Sequence, residues 1–151
     1  MEQSQHNVMD KPFDLEVLAG ALPLGHPGWL KLQLHAAGPD WIELAMNWRE
    51  DLVGDPDTDV LASGPVLALM DNACGAALWM KRGKFGQQLT VDLRVDYMRP
   101  ALAGSKIIAR AEVYRMTRQV AFIRGIGYEN DPADPVCNVA ATFMYFDGKE
   151  A

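Results

Sequence analysis

Apolar and polar positions alternate along much of this chain, and the period of the alternation changes from segment to segment. Leu30, Leu32 and Leu34 alternate with Lys31, Gln33 and His35, the period of a half-buried strand. Gly38-Pro39-Asp40 marks a turn, and Trp41 to Met46 reads as the returning strand. Upstream, Asp14 is placed to cap a short helix carrying Leu15, Leu18 and Leu22, which Pro23 and the glycines after it end. Between Arg49 and Ser63 the chain is rich in aspartate and holds Gly54 and Pro56, the composition of a loop.

The texture then changes. Residues 64–80, GPVLALMDNACGAALWM, are almost all apolar. Pro65 suits the first helical position, where its missing N–H is no loss. The sixteen residues from Pro65 hold no second proline and four alanines, which predicts a helix. Its apolar residues run all round, so it should be buried on most faces. Ala73, Gly75, Ala76 and Ala77 remove bulk and let a neighbouring backbone approach closely. After Gly83-Lys84-Phe85-Gly86 the period returns to two. Leu89, Val91, Leu93, Val95 and Tyr97 alternate with Thr90, Asp92, Arg94, Asp96 and Met98, a long strand with Thr90 on its more polar face. Three further extended segments follow at about 105–115, 119–129 and 136–146, with Asn130-Asp131-Pro132 separating the last two.

Consecutive strands joined by short links imply an antiparallel sheet, and one helix apolar on most sides needs a sheet curled around it. The expected class is α+β: a curved antiparallel sheet wrapped around one long central helix. Residues 1–12 read as a flexible tail and 13–151 as a single domain, and 151 residues are enough for a real core. The net charge of -6 argues against non-specific binding to nucleic acid or an anionic membrane surface. Cys74 and Cys137 have no metal-ligand spacing, and Cys74 in the apolar run reads as a reduced, buried thiol. The polar start is no signal peptide and the apolar run is a poor membrane span, so a cytoplasmic protein is expected.

Candidate chemistry centres on the apolar run. A buried carboxylate without partners is so unfavourable that Asp71 either braces a neighbouring loop or serves in a cleft as general base or nucleophile. Asn72 beside it fits either account. Ser63 and Gly64 open the helix, where unpaired amides and the positive end of the dipole receive anionic oxygen; equally, either residue caps the helix. The hydroxyl of Thr90 is a good β-former's side chain or a holder of water. His6, His26 and His35 lie outside both the helix and the long strand. There is no Gly-x-Ser-x-Gly elbow, phosphate loop, dinucleotide fingerprint or His/Cys metal cluster.

Taken together, GPVLALMDNACGAAL, LTVDLRVDYMRPALAG and VAATFMYF resemble the acyl-CoA thioesterases of the hotdog superfamily, most nearly the PaaI-like (phenylacetic acid degradation) group, over roughly residues 28–147. That resemblance implies a thioesterase that hydrolyses a coenzyme A thioester to free acid and CoA, with no cofactor, since coenzyme A is part of the substrate. It implies Asp71 as general base or nucleophile, the Ser63 and Gly64 amides as oxyanion hole, and Thr90 as the strand hydroxyl that positions water or carboxylate. The family's His-Gly-Gly loop falls on Ala62-Ser63-Gly64, a departure at its first two positions. Family sites join two subunits, which implies a homodimer assembling to a homotetramer. For the phosphates of coenzyme A, Lys81, Arg82, Lys84, Arg99, Arg115 and Arg118 are the basic side chains to consider, with Arg82 and Arg99 preferred, and Asn72 is a further substrate-binding candidate. A non-catalytic protein that binds acyl-CoA or a small aromatic ligand on the same scaffold is the other reading. A dehydratase would need a histidine at the helix, and none is there.

Overall fold

A computed structural model of the chain describes residues 11–147. The expected tail over residues 1–12 therefore falls largely outside the described residues. Its last two residues are held: Pro12 bridges Lys84 in antiparallel fashion, and the Phe85 amide donates to the Lys11 carbonyl at 2.9 Å.

Helix α1 (Leu15–Ala21) starts where Asp14 supplies its cap, with the carboxylate accepting from the Glu16 and Val17 amides at 2.7 and 3.2 Å. A second short helix, α2 (Gly25–Trp29), occupies residues expected to be a break. Pro27 falls within its first turn, where proline is tolerated. Leu30 and Leu32 are buried as the chain leaves α2, Lys31 takes a left-handed conformation at φ 57°, and strand β1 (Gln33–Ala37) begins later than the leucine alternation suggests. Strand β2 (Ile42–Met46) returns from the Gly38–Asp40 turn.

The segment from Arg49 to Ser63 is not plain loop. A 3-10 turn at Glu50–Leu52 leads into a small hairpin of β3 (Val53–Asp55) and β4 (Val60–Leu61). Asp55 closes its turn, accepting from the Asp57 amide and the Thr58 hydroxyl. The hairpin ends against the long helix: the Ala62 amide donates to the Leu52 carbonyl at 2.9 Å, and a side chain at Gly54 would meet the Ala62 backbone at 2.9 Å.

Helix α3 (Ser63–Arg82) is followed by four long strands, β5 (Gln88–Tyr97), β6 (Ile107–Met116), β7 (Val120–Tyr128) and β8 (Cys137–Tyr145). Six strands form one antiparallel sheet in the order β1-β2-β6-β7-β8-β5, curled around α3. This is the hotdog arrangement. The core lies between helix and sheet, where Val66, Leu69, Met70, Ala73, Cys74, Ala77 and Leu78 of α3 meet Ile107, Ile123 and Phe143. Gly125 and Gly127 of β7 make room for Met70: added β-carbons would lie 3.4 and 3.3 Å from its thioether end. The helix is not buried all round. Leu67 is 42% exposed, and Asp71 and Asn72 are half-buried, because the sheet leaves one stripe of α3 open in the single chain.

Among the described residues no helix is long and apolar enough to cross a membrane.

Candidate active site

Strand β5 runs back along α3, and three side-chain hydrogen bonds tie the two together. Gln88 Nε2 donates to the Gly75 carbonyl at 2.9 Å, Thr90 Oγ1 to Asp71 Oδ1 at 2.7 Å, and Tyr97 Oη to the Ser63 carbonyl at 3.0 Å. The middle bond brings together two of the four residues expected to be catalytic.

The position of Thr90 corrects the alternation read from sequence. Thr90 pairs with Phe143, and Asp92 pairs with its neighbour Thr142, so Val91 is an extra residue in the strand. Such a bulge reverses the facing of every residue beyond it. Gln88 and Thr90 therefore face the helix together with Leu93, Val95 and Tyr97, while Asp92 and Arg94 face outward. Thr90 does not share a face with Asp92 and Arg94.

At the helix start, Ala62 is the N-cap residue, and among the described residues no side chain caps the first turn. Neither Ser63 nor Gly64 acts as a side-chain cap, and both are exposed. Pro65 has no N–H and the Val66 N–H closes the first helical turn onto the Ala62 carbonyl, so the free donors are the Ser63 and Gly64 amides at the positive end of a 20-residue helix. Beside them is a cavity of about 260 Å³ lined by Leu61, Ser63, Val66, Tyr97 and Met98 among others. Burial pushes the Tyr97 phenol above its usual range and keeps it a proton donor. Trp79 lines another cavity of about 370 Å³ near Gln88 and Phe146. Met70 and Phe85 are core.

The expected substrate-binding residues are engaged elsewhere. Asn72 Nδ2 bonds the Ala68 carbonyl one turn back, at 2.8 Å. The Arg82 side chain is only 3% exposed; its guanidinium donates to the Phe146 carbonyl and to Asp147, both at 2.8 Å, and lies 4.7 Å over the Tyr145 ring. It fastens the end of β8 to the end of α3, far along the helix from Ser63. Arg99 rims the cavity at the helix start, yet its donors go to Glu129 and Asp134, and the bond to Glu129 holds its pKa above the usual range. Lys84 pairs with Asp147 at 2.8 Å.

Two features had no signal in the sequence. The alternation puts Tyr97 on the apolar face of β5, but nothing local indicates that its hydroxyl reaches the Ser63 carbonyl. On the outer face of the sheet, Glu43 is 3% exposed and accepts from Arg110 Nε at 2.7 Å and Tyr128 Oη at 2.5 Å. Arg110 also stacks on Trp41 at 4.1 Å, beside an outer groove of about 400 Å³ on the side of the sheet away from Asp71. Among the described residues no group of three His, Cys, Asp or Glu side chains is arranged to hold a metal ion.

The family model of the thioesterase superfamily matches residues 60–135, the span from β4 through the helix start, Asp71 and Thr90 to the connection between β7 and β8. Among solved structures, one protein from Pseudomonas aeruginosa is 34% identical over 86% of this chain and 97% of its own, with a TM-score of 0.77. A thioesterase from Haemophilus influenzae superposes with a TM-score of 0.78 at 21% identity, over 93% of this chain and 95% of its own. The Escherichia coli PaaI protein from the phenylacetic acid degradation operon gives 0.69 at 15% identity, over 80% and 83%. The latter two share the fold. No curated protein matches the chain.

Proposed function

The chain belongs to the thioesterase superfamily, and we propose that it hydrolyses a thioester of coenzyme A to the free acid and CoA, with Asp71 as the group that activates water. The observation that carries this reading is the 2.7 Å bond from Thr90 to Asp71. It engages one carboxylate oxygen, fixes the plane of the group, and leaves Oδ2 to accept a proton from water on the open stripe of the helix. Water adds to the thioester carbonyl as its proton passes to Asp71. The oxyanion is met by uncapped amides at a start of α3, chiefly Gly64. Collapse breaks the C–S bond, and the proton returns to the departing sulfur. A carboxylate that attacks the carbonyl itself, with water hydrolysing the anhydride, uses the same geometry.

The site needs two chains. Gly64 and Asp71 are seven residues apart on one helix, roughly 10 Å, too far to serve one carbonyl. Strand β5 is the outermost strand of the sheet, and Leu89 and Val91 on it are about half exposed, as is Leu67 on the open stripe of α3. A long, partly apolar free edge is a surface for pairing. A homodimer paired along β5 sets the helix start of one subunit opposite the carboxylate of the other, and a homotetramer of such dimers is the larger assembly.

Replacing Asp71 with Asn keeps the shape of the side chain and removes its basicity. Thiol release from acetyl, medium-chain, long-chain and aryl CoA esters identifies the substrate. With the best of them, Asp71→Asn lowers turnover by about a thousandfold. Unchanged turnover in a folded variant refutes the reading. Tight CoA-thioester binding by the wild type with no thiol released over hours assigns instead the non-catalytic binding protein, which the altered Ala62-Ser63-Gly64 opening favours.

A further inference from the structure

We propose that Tyr97 is a positioning residue for hydrolysis, acting by holding the peptide between Ser63 and Gly64 so that the Gly64 N–H is aimed at the developing oxyanion; this rests on the thioesterase reading above. Tyr97 Oη donates to the Ser63 carbonyl at 3.0 Å. That carbonyl and the Gly64 N–H belong to one planar peptide unit and point in opposite directions, so fixing one fixes the other. A carbonyl in the first turn of an α-helix already accepts from the amide four residues on. It has a second lone pair, so the phenol is not required to satisfy it. What the phenol adds is orientation.

This peptide has little else to orient it. Ala62 has no side chain able to bond, and among the described residues no side chain caps the turn and nothing stands within 4 Å of where a β-carbon on Gly64 would be. Glycine is the residue least restrained by its own sterics. Pro65 supplies no N–H and the Val66 N–H is spent on the Ala62 carbonyl, which leaves the exposed Ser63 and Gly64 amides, of which Gly64 is the one whose peptide Tyr97 holds. On the other side, Tyr97 is fixed through the backbone of β5, paired to β8 with Tyr97 opposite Cys137. The same phenol lines the cavity beside Ser63, so its ring borders the space a bound acyl group would enter. The strand that orients Asp71 through Thr90 thus also orients the helix start through Tyr97. In the dimer proposed above, these two ends belong to different sites.

The test is steady-state hydrolysis of the best CoA thioester by Tyr97→Phe, with Tyr114→Phe, an exposed tyrosine of β6, as control. Tyr97→Phe keeps the ring and loses only the hydroxyl. Its kcat falls about tenfold, less than the hundredfold or more for deleting an oxyanion donor outright, while KM and the urea midpoint stay at wild-type values. The control changes neither parameter. A kcat within about twofold of wild type, or a rise in KM that accounts for the whole loss, overturns the inference. The failures are separable. Turnover that survives Asp71→Asn refutes the thioesterase reading and this inference together. Turnover abolished by Asp71→Asn but untouched by Tyr97→Phe refutes only the role of Tyr97.

Discussion

Gly127→Ala tests how tightly the sheet closes on the helix that presents Asp71. A methyl group on Gly127 would stand 2.7 Å from Cys137 Sγ and 3.3 Å from Met70 Sδ. Cys137 is its direct partner across the β7–β8 pair, and both sulfurs are wholly buried. A carbon and a sulfur in ordinary contact lie more than half an ångström farther apart than 2.7 Å. Something in a closed core has to shift, and overpacking of this kind costs about 1–3 kcal/mol. Alanine also fits a strand slightly better than glycine, which offsets about 0.5 kcal/mol. The expected net loss is about 1.5 kcal/mol, near 4 °C in Tm for a chain of this length. Urea unfolding followed by tryptophan fluorescence measures it. The cause is isolated by a second variant. In a Cys137→Ala background the nearer clash is gone, and Gly127→Ala then costs less than about 0.5 kcal/mol, a coupling of about 1 kcal/mol between two contacting positions. A Gly127→Ala protein as stable as wild type, or an equal loss in the Cys137→Ala background, refutes the packing account.

Arg82→Ala removes a buried guanidinium that joins α3 to the end of β8 and lowers stability by about 1–3 kcal/mol, while KM for a CoA thioester stays within about twofold of wild type; a large rise in KM at unchanged stability would restore Arg82 as a phosphate ligand. Burial, aided by the charge of Asp71, pushes the Cys74 thiol up to about 12, and burial with the Glu43 bond pushes the Tyr128 phenol up to about 12. Each group holds its proton more tightly folded than unfolded, so stability is constant below the unfolded values, about 8.5 and 10, and falls as pH rises from there toward 12. A urea midpoint that is flat or rising between pH 9 and 12 contradicts this, as does rapid labelling of Cys74 by a thiol reagent in the native protein at pH 8.

Much of the architecture is written in local periodicity. Helix α3 and the four strands after it follow directly from the change from an all-round apolar run to alternation, and Asp14 caps α1 as its position suggests. Helix α2 and the β3–β4 hairpin are not legible, because one five-residue helix and two residue pairs are too short to show a period, and a tertiary contact from Ala62 to Leu52 holds the hairpin. The bulge at Val91 was the consequential miss. Strict alternation put Thr90 on the outer face with Asp92 and Arg94, and nothing local distinguishes a strand that carries an extra residue. For the basic residues, the sequence shows charge but not its neighbours. Arg82 and Arg99 looked available until the folded chain set Asp147, Glu129 and Asp134 beside them.

The bulge also bears on why an ionisable group is stable in so apolar a helix. Without it, Thr90 would point away from α3, and the half-buried Asp71 would have no hydroxyl from β5 to meet it. A carboxylate buried without a donor neutralises or destabilises the fold. With the bulge, one strand presents three donors to the helix in succession, and the two outer ones, Gln88 and Tyr97, grip backbone carbonyls while Thr90 meets the side chain. The backbone bonds fix the distance between β5 and α3, so the hydroxyl holds Asp71 in place without having to support it. Water on the open stripe then reaches the remaining carboxylate oxygen. The stripe is open because the sheet ends at β5, and the same free edge is where a second subunit would pair. One extra residue in a strand thus links the stability of the acid, its orientation and the surface on which a two-chain site would form.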